Sequence, residues 1–169
     1  MVRRLQWFSR TLSFSLLTLI AASSAASAQS GETGASFDLF GAYVRPTDSD
    51  ADFDTEAYGA RGGYRFTNVW ALEGSLSRLS DADIWFGDAS AKAYFIHSQP
   101  FEIYAVTGAG LVRFSDTDDE TTVHFGIGAE IGIGQRGYLR PEVRGRWLAD
   151  ELRADDGIVD YSLGFGWRF

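Results

Sequence analysis

The amino-acid sequence predicts an all-β protein, specifically an eight-stranded antiparallel up-and-down transmembrane β-barrel. Three observations support this prediction: a leader segment typical of export, eight segments whose residue character alternates with a period of two, and connections that alternate between long and short. In the alternating segments, aromatic and aliphatic residues share one face, while charged and small residues share the other. Charges on the concealed face and aromatics on the exposed face indicate that lipid, rather than water, surrounds the barrel.

The first 28 residues have the layout of a secretory signal peptide. Three arginines within the first ten residues precede an apolar run over residues 11–22, and Ala-Ser-Ala at residues 26–28 fits an A-x-A cleavage pattern. The run is shorter than the ~20 residues that a spanning helix needs, which disfavours the alternative of an uncleaved anchor. We therefore predict a signal peptide over residues 1–28 and an outer-membrane barrel domain over residues 29–169.

The composition excludes several classes of function. The chain carries 15 basic and 23 acidic residues, and removal of the leader with its three arginines leaves 12 basic residues and a net charge of −11. Such an acidic chain has no basic stripe with which to neutralise phosphates, so we expect no nucleic-acid partner. The chain contains no cysteine, which excludes disulfides, a thiol nucleophile and a cysteine-ligated zinc site. No cofactor is expected.

The eight alternating segments are the predicted strands. Seven of them show which face is turned outward, and their lengths suit the roughly 9–11 residues with which a tilted strand crosses a bilayer. The fifth has a Gly-Ala-Gly centre, and its sequence does not decide which face is turned outward. The predicted strands cover residues 37–45, 58–66, 70–77, 84–96, 101–114, 123–133, 139–147 and 159–169.

The connections between the predicted strands differ in length and in charge. Those after strands one, three, five and seven are longer and acidic, with the sequences PTDSDADFD, SDAD, SDTDDE and LADELRADD. The other three are short, at residues 67–68, 98–100 and 134–136. Outer-membrane barrels have short periplasmic turns and longer external loops, so we expect the acidic loops on the outside of the cell.

The acidic loops are the candidate binding surface. Asp48, Asp50, Asp52 and Asp54 alternate in the first loop and could supply oxygen ligands to Ca²⁺, which takes about six to eight of them. The glycine and the terminal glutamate of an EF-hand loop are missing, and the alternative is a solvated acidic rim that keeps the loops soluble. These loops favour a cationic surface partner or a divalent cation.

Aromatic residues cluster at both ends of the predicted strands. Aromatic bands at the two bilayer interfaces are typical of transmembrane barrels, so these clusters predict the two membrane boundaries. The loop-end group comprises Tyr43, Trp85, Trp147 and Tyr161, and the turn-end group comprises Tyr64, Phe66, Trp70, Phe95 and Trp167.

Four segments resemble the outer-membrane β-barrel family that includes OmpA and OmpX. They are YGARGGYRF at residues 58–66, WALE at 70–73, GAG at 108–110 and GWRF at 166–169, and the resemblance extends over residues 35–169. It implies a Gram-negative outer-membrane location, with the membrane lipid and lipopolysaccharide as neighbours. It also implies that the aromatics Trp167 and Phe169 belong to a signal read by the barrel-assembly machinery. Unlike OmpA, this chain is expected to lack a periplasmic peptidoglycan-binding domain.

Charged residues of both signs alternate onto the inward faces. An eight-stranded barrel has an interior just wide enough for side chains, and buried charges require partners, so we expect a polar network that fills the lumen. The alternative is a narrow, porin-like channel of low conductance. The predicted network comprises Asp38, Arg61, Arg65, Glu73, Asp88, Lys92, Glu130, Arg140, Glu142, Arg144, Arg146, Asp160 and Arg168.

Small outer-membrane barrels include lipid A-modifying enzymes, which need a histidine, a serine nucleophile and a carboxylate. His97 stands in an apparent periplasmic turn, away from the outer-leaflet lipid, and His124 on an inward face has no serine two positions on. The sequence does not decide whether His124 lies close to Glu130 and to Ser90 or Thr107 in the folded barrel. We expect no catalytic residue and no enzyme activity. The expected role is structural, in the cell envelope, or one of interaction at the surface.

Overall fold

The computed structural model describes residues 33–47, 55–80, 83–98, 100–113, 119–149 and 157–169. In these ranges the chain forms eight strands, each hydrogen-bonded to its sequence neighbours in antiparallel order. They are β1 (Gly34–Pro46), β2 (Thr55–Arg65), β3 (Trp70–Leu79), β4 (Trp85–Ser98), β5 (Phe101–Arg113), β6 (Glu120–Ile133), β7 (Gly137–Leu148) and β8 (Ile158–Arg168). The described residues contain no helix that is long and apolar enough to cross a membrane.

The pairing of β1 with β8 closes the sheet into a barrel. This pairing runs from Ser36 opposite Arg168 to Pro46 opposite Ile158. Closure leaves no unpaired sheet edge, and a sheet inside lipid needs this because no water is present to satisfy free backbone groups. The predicted fold class, an eight-stranded antiparallel up-and-down transmembrane barrel, is confirmed.

Local chemistry fixes two of the short turns. Between β2 and β3 the hydroxyl of Thr67 accepts hydrogen bonds from the N–H groups of Val69 at 3.2 Å and Trp70 at 2.9 Å. Between β6 and β7, Gly134 has a φ of 67°, a left-handed conformation that glycine adopts without strain. Both turns lie at the end of the barrel where β1 begins and β8 ends, which we call the turn end. The opposite end is the loop end.

The end of β4 differs from the sequence-based expectation. The strand continues to Ser98 and pairs with β5 through His97 and Glu102, so the prediction that His97 lies in a turn is wrong. The pairing register shifts between Tyr94 and Ile96, which is a β-bulge that residue alternation does not reveal. After the bulge, the Nδ1 atom of His97 lies 3.3 Å from a guanidinium nitrogen of Arg65 at the turn end.

The two faces of the sheet separate apolar from charged side chains. Leu72, Phe125 and Leu163 on the outward face are 58%, 61% and 59% exposed, although they are large and apolar. An exposed apolar surface of this kind fits a lipid environment. In β5 the buried residues include Tyr104 and Val106, which decides the face that the sequence left open.

Candidate functional site

The inside of the barrel holds the charged residues that the sequence assigned to a lumen network. The structure places all thirteen on the inward face, and it adds Glu102, which the undecided face of β5 concealed. Acids and bases are equal in number within this network, and Glu120 is a further inward acid at the loop end of β6. The acids are Asp38, Glu73, Asp88, Glu102, Glu130, Glu142 and Asp160, and the bases are Arg61, Arg65, Lys92, Arg140, Arg144, Arg146 and Arg168.

Arg140 on β7 is the centre of this network. Its Nη1 atom lies 2.8 Å from Asp38 Oδ2, and its Nη2 atom lies 2.9 Å from Glu73 Oε1 and 2.9 Å from Glu142 Oε2. Its Nε donates to the phenol oxygen of Tyr104 at 2.6 Å. The flat guanidinium group presents five N–H donors, so one side chain can bind several acceptors on different strands. Arg140 therefore cross-links the middle of the barrel.

Two glutamates close the turn end of the lumen. Glu130 accepts hydrogen bonds from Lys92 and, at 2.7 Å, from Arg168. Glu102 lies 2.8 Å from Arg65 Nη1 and 2.6 Å from Arg168 Nη2. Arg168 thus joins both carboxylates, and the five strands that carry these residues are tied together where the turns are shortest.

Asp88 on β4 organises the loop half of the network. Its Oδ2 atom lies 3.0 Å from Arg146 Nη2 and 3.5 Å from Arg144 Nη1, and it accepts a hydrogen bond from the Ser75 hydroxyl at 3.0 Å. Arg146 Nη2 also lies 3.4 Å from Asp160 Oδ2. Charge-assisted hydrogen bonds of this kind are stronger than neutral ones, and together they link β3, β4, β7 and β8.

An apolar cluster lies between the ion pairs and the loop end of the lumen. Its members are buried apolar side chains close to the loop ends of five strands. The guanidinium of Arg146 lies 4.6 Å from the ring centre of Phe86, so the cluster rests directly on the charged network. This loop-end apolar cluster consists of Val44, Ala57, Leu79, Phe86 and Val112.

Beside this contact, a small cavity lies between the rest of the loop-end apolar cluster and the ion pairs. Its volume is about 20 Å³, on a scale where one water molecule needs about 10–15 Å³. Arg61 and Arg144 line it, and the Nε atoms of both are buried without a hydrogen-bond partner in the described part of the chain. The cavity has room and donors for about one water molecule, which is far less than an open aqueous path requires.

Residues 12–169 match the family model described as the outer membrane protein beta-barrel domain. The chain belongs to this family. Its location is accordingly the outer membrane, as the sequence predicted. No curated protein sequence matches the chain.

Three solved outer-membrane barrels are similar to this chain in fold. The N-terminal β-barrel domain of Pseudomonas aeruginosa OprF has a TM-score of 0.63 at 17% identity, covering 81% of this chain and 99% of that one. Neisserial surface protein A also has a TM-score of 0.63 at 17% identity, covering 83% and 98%. Ail of Yersinia pestis has a TM-score of 0.56 at 18% identity, covering 81% and 97%. At these identities the likeness concerns the fold.

In outer-membrane barrels, exposed aromatic residues lie at the two membrane boundaries, and the exposed aromatics of this barrel lie at its two ends. Tyr43 on β1 lies opposite Tyr161 on β8 at the loop end, and both are exposed. Trp147 stacks on Phe125 with 4.7 Å between the ring centres. At the turn end, Tyr64, Phe66, Trp70, Phe95 and Trp167 are exposed.

The structure joins His124 to Ser90. The His124 Nε2 atom lies 2.9 Å from the Ser90 hydroxyl, and Nδ1 lies 3.8 Å from Asp88 Oδ1, beyond hydrogen-bonding distance. The Thr107 hydroxyl instead donates to the backbone carbonyl of His124 at 3.1 Å. Ser90 and His124 are both buried inside the lumen, and neither lines the cavity, so no substrate surface is present beside this pair among the described residues.

Part of the sequence-based interpretation lies outside the described residues. This applies to the signal peptide over residues 1–28 and to the Ca²⁺ candidates Asp48, Asp50, Asp52 and Asp54. Within the described ranges, no group of three or more histidine, aspartate or glutamate side chains is arranged to hold a metal ion.

Proposed function

We propose that this outer-membrane barrel has a structural or surface-interaction role, with a lumen that conducts no ions and catalyses no reaction. The barrel anchors the acidic loops at the cell surface and contributes to the integrity of the envelope. The observation that carries this proposal is the double closure of the lumen, by the Arg140-centred ion pairs and by the loop-end apolar cluster.

The energetics of the lumen support a permanently closed barrel. Removing one partner from a buried ion pair costs about 3–5 kcal/mol, because the other charge is left buried and uncompensated. An ion path past Arg140 would have to separate it from Asp38, Glu73 and Glu142 at once. The equal numbers of acids and bases within the network also leave no net fixed charge there to draw ions past it.

Single-channel recording in a planar bilayer tests the closed lumen against the alternative of a narrow channel. We expect no reproducible current steps from the folded wild-type protein. Ohmic steps whose size changes in an Arg61→Ala or Glu73→Ala variant would show an ion path through the network and would overturn the proposal.

A deletion strain tests the role in the envelope. We expect loss of the protein to raise the sensitivity of the cells to detergent and large antibiotics, and expression of the barrel to restore resistance. A variant with residues 48–54 replaced by a short Gly-Ser linker should restore resistance but lose any binding of a cationic partner or Ca²⁺. Resistance identical in the deletion strain and the wild type would refute the integrity role.

Mass spectrometry of lipid A tests the absence of enzyme activity. Burial of Ser90 and His124 inside the lumen supports the expectation that lipid A keeps its acyl composition when incubated with the protein. A changed acyl count that is lost in both Ser90→Ala and His124→Ala would make the protein an enzyme.

A further inference from the structure

The small cavity in the loop half of the lumen is lined by arginines whose N–H groups are only partly used. In the described part of the chain, seven buried side-chain nitrogen and oxygen atoms lack a hydrogen-bond partner, and four of them belong to residues of the cavity wall. These four are Nε and Nη1 of Arg61 and the Nε atoms of Arg144 and Arg146. Each of the three residues is no more than 4% exposed. Unpaired buried donors are rare in folded proteins, so four at one cavity indicate a ligand.

The other ends of these arginines are held in place. Arg61 Nη2 donates to the Ser162 hydroxyl at 2.8 Å. Arg144 Nη1 lies 3.5 Å and Arg146 Nη2 lies 3.0 Å from Asp88 Oδ2. Because these contacts orient the guanidinium groups, the unpaired N–H groups cannot turn to other partners without breaking them.

The hydrogen-bonding character of the wall favours an anion. Three carboxylates, those of Asp88, Glu142 and Asp160, balance the three arginines of the wall, and each already accepts a hydrogen bond from Arg144 or Arg146. Among the described residues of the wall, every unpaired buried side-chain atom is an N–H donor. A cation would find no unpaired acceptor there, and a water molecule would have to place its own hydrogens on carboxylates that arginines already occupy. An anion only accepts, so it can pair with several of these donors at once.

The size of the cavity restricts the anion to a single atom. Its volume is about 20 Å³, on a scale where one water molecule needs about 10–15 Å³. Phosphate and sulfate, with five heavy atoms each, do not fit. Chloride is only slightly larger than water and is the abundant anion of this size. The hydroxyl groups of Ser77 and Ser162 also line the cavity and can act as further donors.

We propose that this cavity binds one chloride ion, which accepts hydrogen bonds from Arg61, Arg144 and Arg146. The ion connects β2 with β7, two strands that share no backbone hydrogen bonds. It enters when the barrel folds and then stays as a fixed part of the lumen, because the Arg140-centred ion pairs and the loop-end apolar cluster enclose the cavity. The site does not depend on the proposed role in the envelope.

Urea unfolding at constant ionic strength, in sodium chloride, sodium bromide and sodium gluconate, tests the proposal. An ion that binds only the folded barrel raises its free energy of unfolding as the ion concentration rises. We expect the urea midpoint of the lipid-embedded barrel to rise with chloride or bromide and then level off. It should stay unchanged in gluconate, which is too large for the cavity. Crystals of the barrel folded in bromide should show an anomalous-scattering peak within hydrogen-bonding distance of the three arginines.

Two variants change the cavity by different means. Arg61→Lys keeps the charge and removes the two unpaired N–H groups of this side chain, whereas Ala57→Val keeps every arginine and fills part of the volume. We expect each variant to need at least about tenfold more chloride for half of the midpoint shift. Arg168→Lys is the matched control, because Arg168 belongs to the same network at the turn end and does not line the cavity. It should keep the chloride dependence of the wild type.

Three outcomes would overturn the site. Equal wild-type midpoints in chloride, bromide and gluconate would mean that water fills the cavity. A chloride dependence that persists unchanged in both Arg61→Lys and Ala57→Val would assign the effect to the protein surface. A bromide peak without any effect on the midpoint would mean an adventitious ion only. None of these outcomes bears on conductance or on envelope integrity.

Discussion

Tyr104 on β5 donates a hydrogen bond to Glu142 on β7 at 2.7 Å, although β6 lies between the two strands. The residue of β6 at the same level is Gly128, which pairs with Tyr104 on one side and with Glu142 on the other. A Cβ atom at Gly128 would overlap the Tyr104 phenol group. The missing side chain therefore opens the path along which residues two strands apart reach each other.

Other inward glycines act in the same way. Tyr138 on β7 donates to Asp38 on β1 at 3.3 Å across β8, where Gly166 is paired with both. Gly108 on β5 separates the hydrogen-bonded serine and histidine of β4 and β6. These glycines let the network cross-link strands that share no backbone hydrogen bonds, which ties the barrel together around its circumference.

Gly128→Ala is expected to destabilise the barrel by about 1–3 kcal/mol, the usual cost of an extra methyl group in a filled interior. The new methyl group displaces the Tyr104 ring, and the hydrogen bond to Glu142 is lost with it. Equilibrium unfolding of the lipid-embedded protein in urea measures this loss. Gly41→Ala is the control, since a Cβ there meets no atom within 4 Å, and equal stability loss in both variants would contradict the role of Gly128.

Arg140→Ala is expected to cost about 3–5 kcal/mol, because it leaves buried carboxylates without their cation. Urea unfolding and the temperature at which the folded band disappears from a gel both measure the effect. Adding Glu73→Ala restores equal numbers of acids and bases within the network, so we expect the double variant to recover part of the loss. A double variant whose loss is the sum of the two single losses would show that the pair is not coupled.

Glu102→Ala is expected to destabilise the turn end by about 1–3 kcal/mol, since Arg65 and Arg168 lose the carboxylate that they share. The change should appear as faster hydrogen exchange at the ends of β2, β5 and β8, with slower exchange preserved at the loop end. Glu56→Ala removes an exposed glutamate of the outward face and is expected to leave exchange unchanged at the turn end.

Residue alternation in the sequence was sufficient for the strand count, the closure and the faces of seven strands, because the charged residues in the middle of those strands fall on a single face. It failed in β5 because the inward residues Tyr104, Val106 and Val112 are as apolar as the outward Ile103 and Leu111. At the turn end of β5, Glu102 is the one charged residue that distinguishes the two faces. A single charge was too weak a signal, so the sequence did not identify Glu102 as a member of the network.

The partners within the network could not be predicted from the sequence. Alternation tells which residues share the interior, but the contacts of Arg140 with Asp38 and Glu73 depend on the relative register of β7, β1 and β3. Register in this barrel also changes at the Tyr94–Ile96 bulge, which no pattern in the sequence marks. Inward glycines are a usable signal, since Gly108, Gly128 and Gly166 each lie between two strands whose side chains contact each other.

The C-terminal aromatic is expected to matter for assembly and not for stability. Phe169 is 51% exposed on the outward face beyond the end of β8, and its backbone N–H donates to the Ala35 carbonyl at 2.9 Å, a bond that survives truncation of the side chain. Phe169→Ala should therefore change the urea midpoint of the folded barrel little. Phe37 on β1, which is 42% exposed, provides the matched control.

If the ring is read by the barrel-assembly machinery, Phe169→Ala should fold more slowly than Phe37→Ala in proteoliposomes containing that machinery, and at the same rate in plain lipid vesicles. Equal rates in both settings would remove the assembly role, whereas slowing in both would assign the ring to the intrinsic folding of β8.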